Sequence, residues 1–298
     1  MKLKLIEEKI KEFSVLNFPY TNIIGLARSI LAFGTMLTLL SNKTSVLIQR
    51  SSEGDLFNPM LNPIAPINKF NFFLLFGVEY FPYMKILAIA ILIIVITGYS
   101  IKVSSLLHWW VSISFFFCSS VIDGGDQITT ILTFLLLPLC LTDKRKNHWE
   151  KTRPYSSTLN IVGLSSVYFI KLQIAIIYFH AAVGKLDVEE WSNGTALYYW
   201  FNHSFFGASD NLIPIINFSL SNSWIVTALT YGVLIFEVLL FLCLLASEKI
   251  KRMVLIPAIL FHFLIIIFHG IFSFFFAVTA GLILYLLPIN KPLKYDFN

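Results

Sequence analysis

Two short constellations in this 298-residue chain combine side chains that can do chemistry. The first is Asp123-Gly124-Gly125-Asp126, paired carboxylates on a glycine turn just before an apolar run. The second is Gly184-Lys185-Leu186-Asp187, which ends another apolar run and leads into Trp191-Ser192-Asn193-Gly194. Lys185 with Asp123, Asp126 and Asp187 are therefore the candidate catalytic residues of the chain. A lysine acts as a base only when its ammonium form is destabilised. A closely approaching carboxylate would instead make Lys185 a charge-paired organiser. A plainer reading makes Asp126 a helix cap, Lys185 an interfacial anchor and Asn193-Gly194 a turn.

Further polar groups lie inside apolar runs. Tyr178 and His180 precede Lys185 on the same predicted helix and are candidates to support it. Arg28, Lys171 and Glu237 are charges within apolar segments, where each costs at least about 2.5–3.5 kcal/mol and needs a partner or a task. Pairing of Glu237 with Lys171 or Arg28 is the expected solution, a polar cavity the alternative. Lys171, Tyr178 and Lys185 recur every seven residues, as do His262 and His269, which places each set on one helix face. No metal-site spacing accompanies the histidines, so they are expected to pack between helices rather than hold an ion. Cys118, Cys140 and Cys243 all fall in apolar runs and read as small buried hydrophobes.

The elements that must position these residues are dictated by composition. Hydrophobic residues make up 57% of the chain and charged residues 13%, with 29 Phe and a mean hydropathy of +0.76. Soluble domains carry about 25% charged residues, so lipid is the expected solvent. The predicted fold is an all-α polytopic membrane bundle of about eight spans: 23–40, 83–98, 104–121, 127–141, 160–184, 224–246, 253–268 and 271–287. An amphipathic surface segment (1–22) precedes the transmembrane domain (23–288), and a tail (289–298) follows. Pro59, Pro63 and Pro66 break the long loop after the first span, and aromatic 68–77 is expected to rest in the interface.

Lysine and arginine concentrate in alternate loops, notably Lys144, Arg145, Lys146, Lys151 and Arg153, then Lys249, Lys251 and Arg252. Asp123, Asp126, Asp187, Glu189, Glu190 and Asp210 occupy the others. Positive loops stay cytoplasmic, so both termini are expected inside and the acidic loops outside. The net charge of +5 is thereby explained without nucleic acid, for which no basic stripe with stacking aromatics is present.

Residues 121–149, VIDGGDQITTILTFLLLPLCLTDKRKNHW, and 173–201, QIAIIYFHAAVGKLDVEEWSNGTALYYWF, resemble the B component of bacterial sporulation-delaying-protein systems. That component is placed in the wider HTTM family, related to the membrane part of vitamin K-dependent γ-glutamyl carboxylase. The resemblance implies a multi-pass protein of the bacterial cell membrane that helps a small A-type partner convert a secreted precursor into an antimicrobial peptide. The carboxylase kinship implies a base at Lys185, with Asp187, Tyr178 and Phe179 matching its neighbours; Gly184 stands where the carboxylase has a second lysine. The alternatives are a non-enzymatic exporter, scaffold or immunity protein, and a quinone-coupled enzyme. No cofactor is assigned. An ATP-driven pump is disfavoured by the lack of a phosphate-loop motif.

Overall fold

The computed structural model describes residues 2–50, 56–57, 70–151, 155–204, 207–209 and 211–293. The loop prolines Pro59, Pro63 and Pro66, residues 68–69 of the aromatic stretch, Arg153, Asp210 and the end of the predicted tail lie outside the described residues. The helices are α1 (Lys2–Leu16), α2 (Asn22–Ser41), α3 (Thr44–Leu47), α4 (Phe81–Thr97), α5 (Ile101–Cys118), α6 (Gly124–Thr142) and α7 (Ser157–Leu186). They continue with α8 (Glu189–Ser192), α9 (Ala196–Phe201), α10 (Ile213–Leu220), α11 (Ser223–Leu242), α12 (Glu248–His269) and α13 (Phe272–Leu286). A two-residue antiparallel ladder, Gln49–Arg50 with Leu56–Phe57, interrupts the otherwise helical chain.

Seven of these helices are long and apolar enough to cross a membrane, α4 together with the turn before it. The multi-pass helical bundle expected from composition is therefore present. The eighth predicted span is shorter than the others. α13 has 15 residues, about 22 Å at 1.5 Å per residue, against the roughly 20 residues a lipid-facing span needs. Its position explains the economy. Ala277 through Leu286 are all buried, so this helix is sheathed by protein. Ala277, Ala280 and Gly281 let its neighbours approach, and a Cβ on Gly281 would meet Ile174 of α7 at 2.7 Å.

The buried apolar side chains form two main clusters. One joins α2, α6, α7 and α13; the other joins α2, α4 and α5 with Phe72 and Phe73 of the aromatic stretch. α2 belongs to both and is buried on two sides. The aromatic stretch does not simply rest in the interface: Phe72 and Phe73 are buried against Phe81, Phe115 and Trp110, whereas Phe70 and Phe76 are exposed. α1 packs along α7 and leaves Leu5, Ile6, Ile10 and Phe13 exposed.

The segment that leads into α2 meets the last described residues at one end of the bundle. Thr21 donates its hydroxyl to Ile289 O, and Asn22 bonds Leu293 through both side-chain atoms. The loop bearing Lys144, Arg145 and Lys146 lies at this same end, with Thr142 bonded to Tyr20. On intact cells, an impermeant thiol reagent should modify a cysteine placed at exposed Asn193 and miss one at exposed Lys146. The native cysteines are buried, so background is low. Modification at Lys146 but not at Asn193 would invert the assigned sidedness.

Candidate functional site

Lys185 lies in the last turn of α7 and Glu237 within α11, and the two side chains meet. Lys185 Nζ donates to Glu237 Oε1 at 2.7 Å and Oε2 at 2.8 Å, and to the Ala181 carbonyl of its own helix at 3.1 Å. The lysine side chain is 25% exposed and the glutamate 10%. The Trp191 ring covers the ammonium, its centroid 5.3 Å from Nζ. Trp191 is held in turn by the α7–α11 connection. Ser192 O accepts from Tyr231 at 2.8 Å, and Leu197 N donates to Thr230 Oγ1 at 3.3 Å. Gly194 takes a positive φ of 82°, where a side chain would be strained and would crowd Thr227.

With its three protons directed at these acceptors, Lys185 has the geometry of a charge anchor. The expected partnerships are corrected accordingly: Glu237 pairs with Lys185, not with Lys171 or Arg28. Lys171 lies in the electrostatic neighbourhood of Glu248 and Lys251 instead. Among the described residues no hydrogen bond or ion pair joins Lys185 to Asp123, Asp126 or Asp187.

Two turns before Lys185, Tyr178 on α7 faces His262 on α12. The imidazole donates from Nδ1 to Ala258 O at 2.8 Å, which leaves Nε2 as an acceptor, 3.5 Å from the Tyr178 hydroxyl. Tyr178, Glu237 and His262 line a cavity of about 60 Å³ whose remaining wall includes Ile128, Ile174 and Phe274. His180 does not join them; it is exposed on another face of α7 and touches Phe179. His269 diverges from His262 and stacks on Phe201, with ring planes 13° apart. No group of three or more metal-ligating side chains occurs among the described residues.

The aspartates of the glycine turn have a different task. Asp123 caps α6, its Oδ1 accepting from Gly125 N at 2.6 Å and Asp126 N at 3.2 Å, while Asp126 Oδ2 accepts from Asp123 N. This reciprocal box satisfies helix-end amides. The other oxygen of Asp123 accepts from Ser273, tying the start of α6 to the start of α13. A Cβ on Gly125 would lie 2.5 Å from the Phe274 backbone, so the glycine is required for contact between the two helix starts. Asp187 is exposed and ends α7.

A second polar cluster closes the opposite end of the bundle. Arg28 is buried in α2 and reaches His148 Nε2 at 2.6 Å and Ser104 Oγ at 3.1 Å. Arg145 grips Asp143 through Nε and Nη2, the latter at 2.7 Å, and donates to His148 O at 2.9 Å. Tyr155 donates to Asp143 at 2.9 Å; burial and the nearby carboxylate push its pKa up to about 12, which keeps the proton on the phenol. His148 must be neutral to accept from Arg28. Burial, reinforced by the Arg28 and Arg145 guanidiniums, holds its pKa well below 6.5.

The fold and this site define a polytopic helical membrane protein with an ion pair beside a small, mostly apolar cavity inside its bundle. No family model and no solved structure matches the chain. It is similar to sporulation-delaying protein SdpB of Bacillus subtilis (strain 168), with 36% identity over 94% of the chain and 85% of that protein. The uncharacterized protein YitO of the same organism is 35% identical over 99% of the chain and 94% of its own length. The chain belongs to the SdpB family.

Two outcomes test these assignments. Gly125→Ala forces α6 from α13 and should destabilise by roughly 1–3 kcal/mol. Gly184→Ala has nothing within 4 Å to meet and should be neutral or stabilise by up to about 1 kcal/mol. The second concerns His148, whose proton uptake the unfolded chain permits near pH 6.5 and the folded chain resists. Stability is therefore full above about pH 6.5 and falls below it. Thermal unfolding in detergent should show this fall, and His148→Gln, which retains a neutral acceptor, should make it shallower; an unchanged slope would contradict the assignment.

Proposed function

We propose that this protein is a membrane factor for producing a secreted sporulation-delaying-type antimicrobial peptide, acting at the outer face of the bacterial cell membrane with a small A-type partner. The observation that carries the reading is the 36% identity to a sporulation-delaying protein along 94% of the chain. The sidedness rests on charge: Lys144 and Lys146 in the loop after α6, and Lys249 and Lys251 in the first turn of α12, alternate along the chain with the segments that hold Asp123, Asp187, Glu189 and Glu190. The Lys185–Glu237 pair then sits toward the acidic end, beneath Trp191, where an exported peptide would first meet the bundle.

In this reading the pair is the working centre, with Tyr178 and His262 beside it, while Asp123 and Asp126 build the scaffold. Asp187 is left as a surface acid next to the centre. The same reading carries the kinship with the HTTM group and, through Tyr178, Phe179, Lys185 and Asp187, the likeness to the carboxylase's lysine segment. The precursor peptide is the substrate, and its modification is the step that Lys185 serves.

In a strain carrying the whole system, Lys185→Ala and Glu237→Gln should each lower mature peptide by about tenfold or more, the equivalent of ~1.4 kcal/mol, at normal membrane levels of the protein. Mass spectrometry should find retained precursor. Undiminished mature peptide from both variants would overturn the maturation reading, and protection of a sensitive cell by this protein alone would replace it with immunity.

A further inference from the structure

Four cations gather around one acid where α12 begins. Lys291 Nζ donates to Glu248 Oε2 at 2.8 Å, and Arg252 Nη2 approaches the same oxygen at 3.5 Å. Lys251 gives one proton to Leu244 O at 3.2 Å and keeps two for another acceptor. Lys171, reaching over from α7, lies in the field of Lys251 and Glu248. It is half-buried, and among the described residues it makes no hydrogen bond or ion pair. Lys185 is matched by Glu237 and Arg145 by Asp143, but Lys171 has no acid of its own. Glu248 is already engaged by Lys291 and Arg252, so four positive charges against one negative leave Lys171 and Lys251 repelling each other across two helices. An anion held at this junction turns that repulsion into attraction.

The surroundings define the kind of anion. α12 is long and apolar enough to cross a membrane, so its first turn belongs where hydrocarbon gives way to headgroups. Leu245, Ile250 and Met253 flank the cations along the chain and are all exposed. A free phosphate would use the cations alone. A phospholipid uses both features, its phosphate against the ammonium and guanidinium groups and its acyl chains along the apolar side chains. We propose that the junction of α7, the start of α12 and the segment after α13 is a binding site for the phosphate of an anionic phospholipid headgroup. Lys171 and Lys251 are its uncommitted cations and supply most of the attraction. Arg252 adds the planar fork that suits phosphate oxygens, and Lys291 keeps Glu248 neutralised beside the bound anion. Basic residues gathered between spanning helices at the cytoplasmic side are a recurring way of holding such headgroups. The site depends on neither peptide maturation nor the Lys185–Glu237 pair.

The test uses the purified full-length protein, delipidated in detergent, and needs no toxin system. Titrated with phosphatidylglycerol, it should retain one lipid in native mass spectrometry under conditions that strip phosphatidylcholine, and its unfolding temperature should rise with the first lipid only. Equal retention of the two lipids would overturn the site, and this comparison requires no variant. Lys171→Gln and Lys251→Gln, each checked for an unchanged unfolding temperature without lipid, should weaken phosphatidylglycerol binding about fivefold, the worth of one cation at an anionic surface. Lys102→Gln removes an exposed cation from α5 and should leave binding unchanged. An equal loss in all three variants would reveal diffuse attraction and overturn the site. Inorganic phosphate at millimolar concentration should fail to displace the lipid; displacement would assign the cations to a soluble anion and overturn the lipid.

Discussion

A charge placed among lipid-facing helices has to find an opposite charge or a ring of dipoles, because the hydrocarbon supplies neither. This constraint organises the protein at both ends. Arg28 lies on the helix shared by both core clusters, and its guanidinium is met by Ser104 from α5 and His148 from the loop after α6. Lys185 and Glu237, 52 residues apart, meet across α7 and α11. Each contact fixes the rotation and depth of one helix against another, which apolar packing between featureless Leu, Ile and Phe surfaces specifies weakly. Breaking either contact would leave a buried charge unpaired, so the two clusters act as registration points for the bundle.

Between them runs α13, whose shortness follows from the same physics. A helix surrounded by protein need not match the bilayer thickness, but its ends must satisfy their amides within the protein. At its start Ser273 binds the Asp123 carboxylate that also caps α6. Two helix beginnings thus share one acid, and Gly125 removes the side chain that would hold their backbones apart. The Asp-Gly-Gly-Asp turn looks like a paired-carboxylate site in sequence because capping and acid–base chemistry ask for the same residue types.

The helices were legible because apolar run length and turn residues are local signals. Their positions hold to within a few residues for most spans, whereas the cap expected at Asp126 is made by Asp123, with Asp126 closing the box from the third helical position. The short helix Ile213–Leu220 and the two-residue ladder were not legible, since neither is long enough to impose a period. At the site, Lys185, Tyr178, Glu237 and His262 were each visible as polar groups in apolar runs. Their grouping was not. Counting residues along a helix gives a Cα depth, whereas Lys185 reaches back one turn toward Ala181 and so meets a glutamate fourteen residues into α11. His148 is not legible in the sequence, because a loop histidine carries no periodic signal; only its proximity to Arg28 in space shows its role.

An ion pair is nearly neutral seen from a distance, and that is what allows Lys185 and Glu237 to persist at an apolar boundary without a larger network. It also determines how such a centre can be used. A substrate group carrying a single charge would have to split the pair and leave one member uncompensated, at a cost that rises as water is excluded. A proton moving within the cluster leaves its total charge unchanged. Trp191 fits the same logic. Its π face attracts the ammonium while its bulk covers the pair, so the connection between α7 and α11 both closes the centre and favours a positive charge at Lys185.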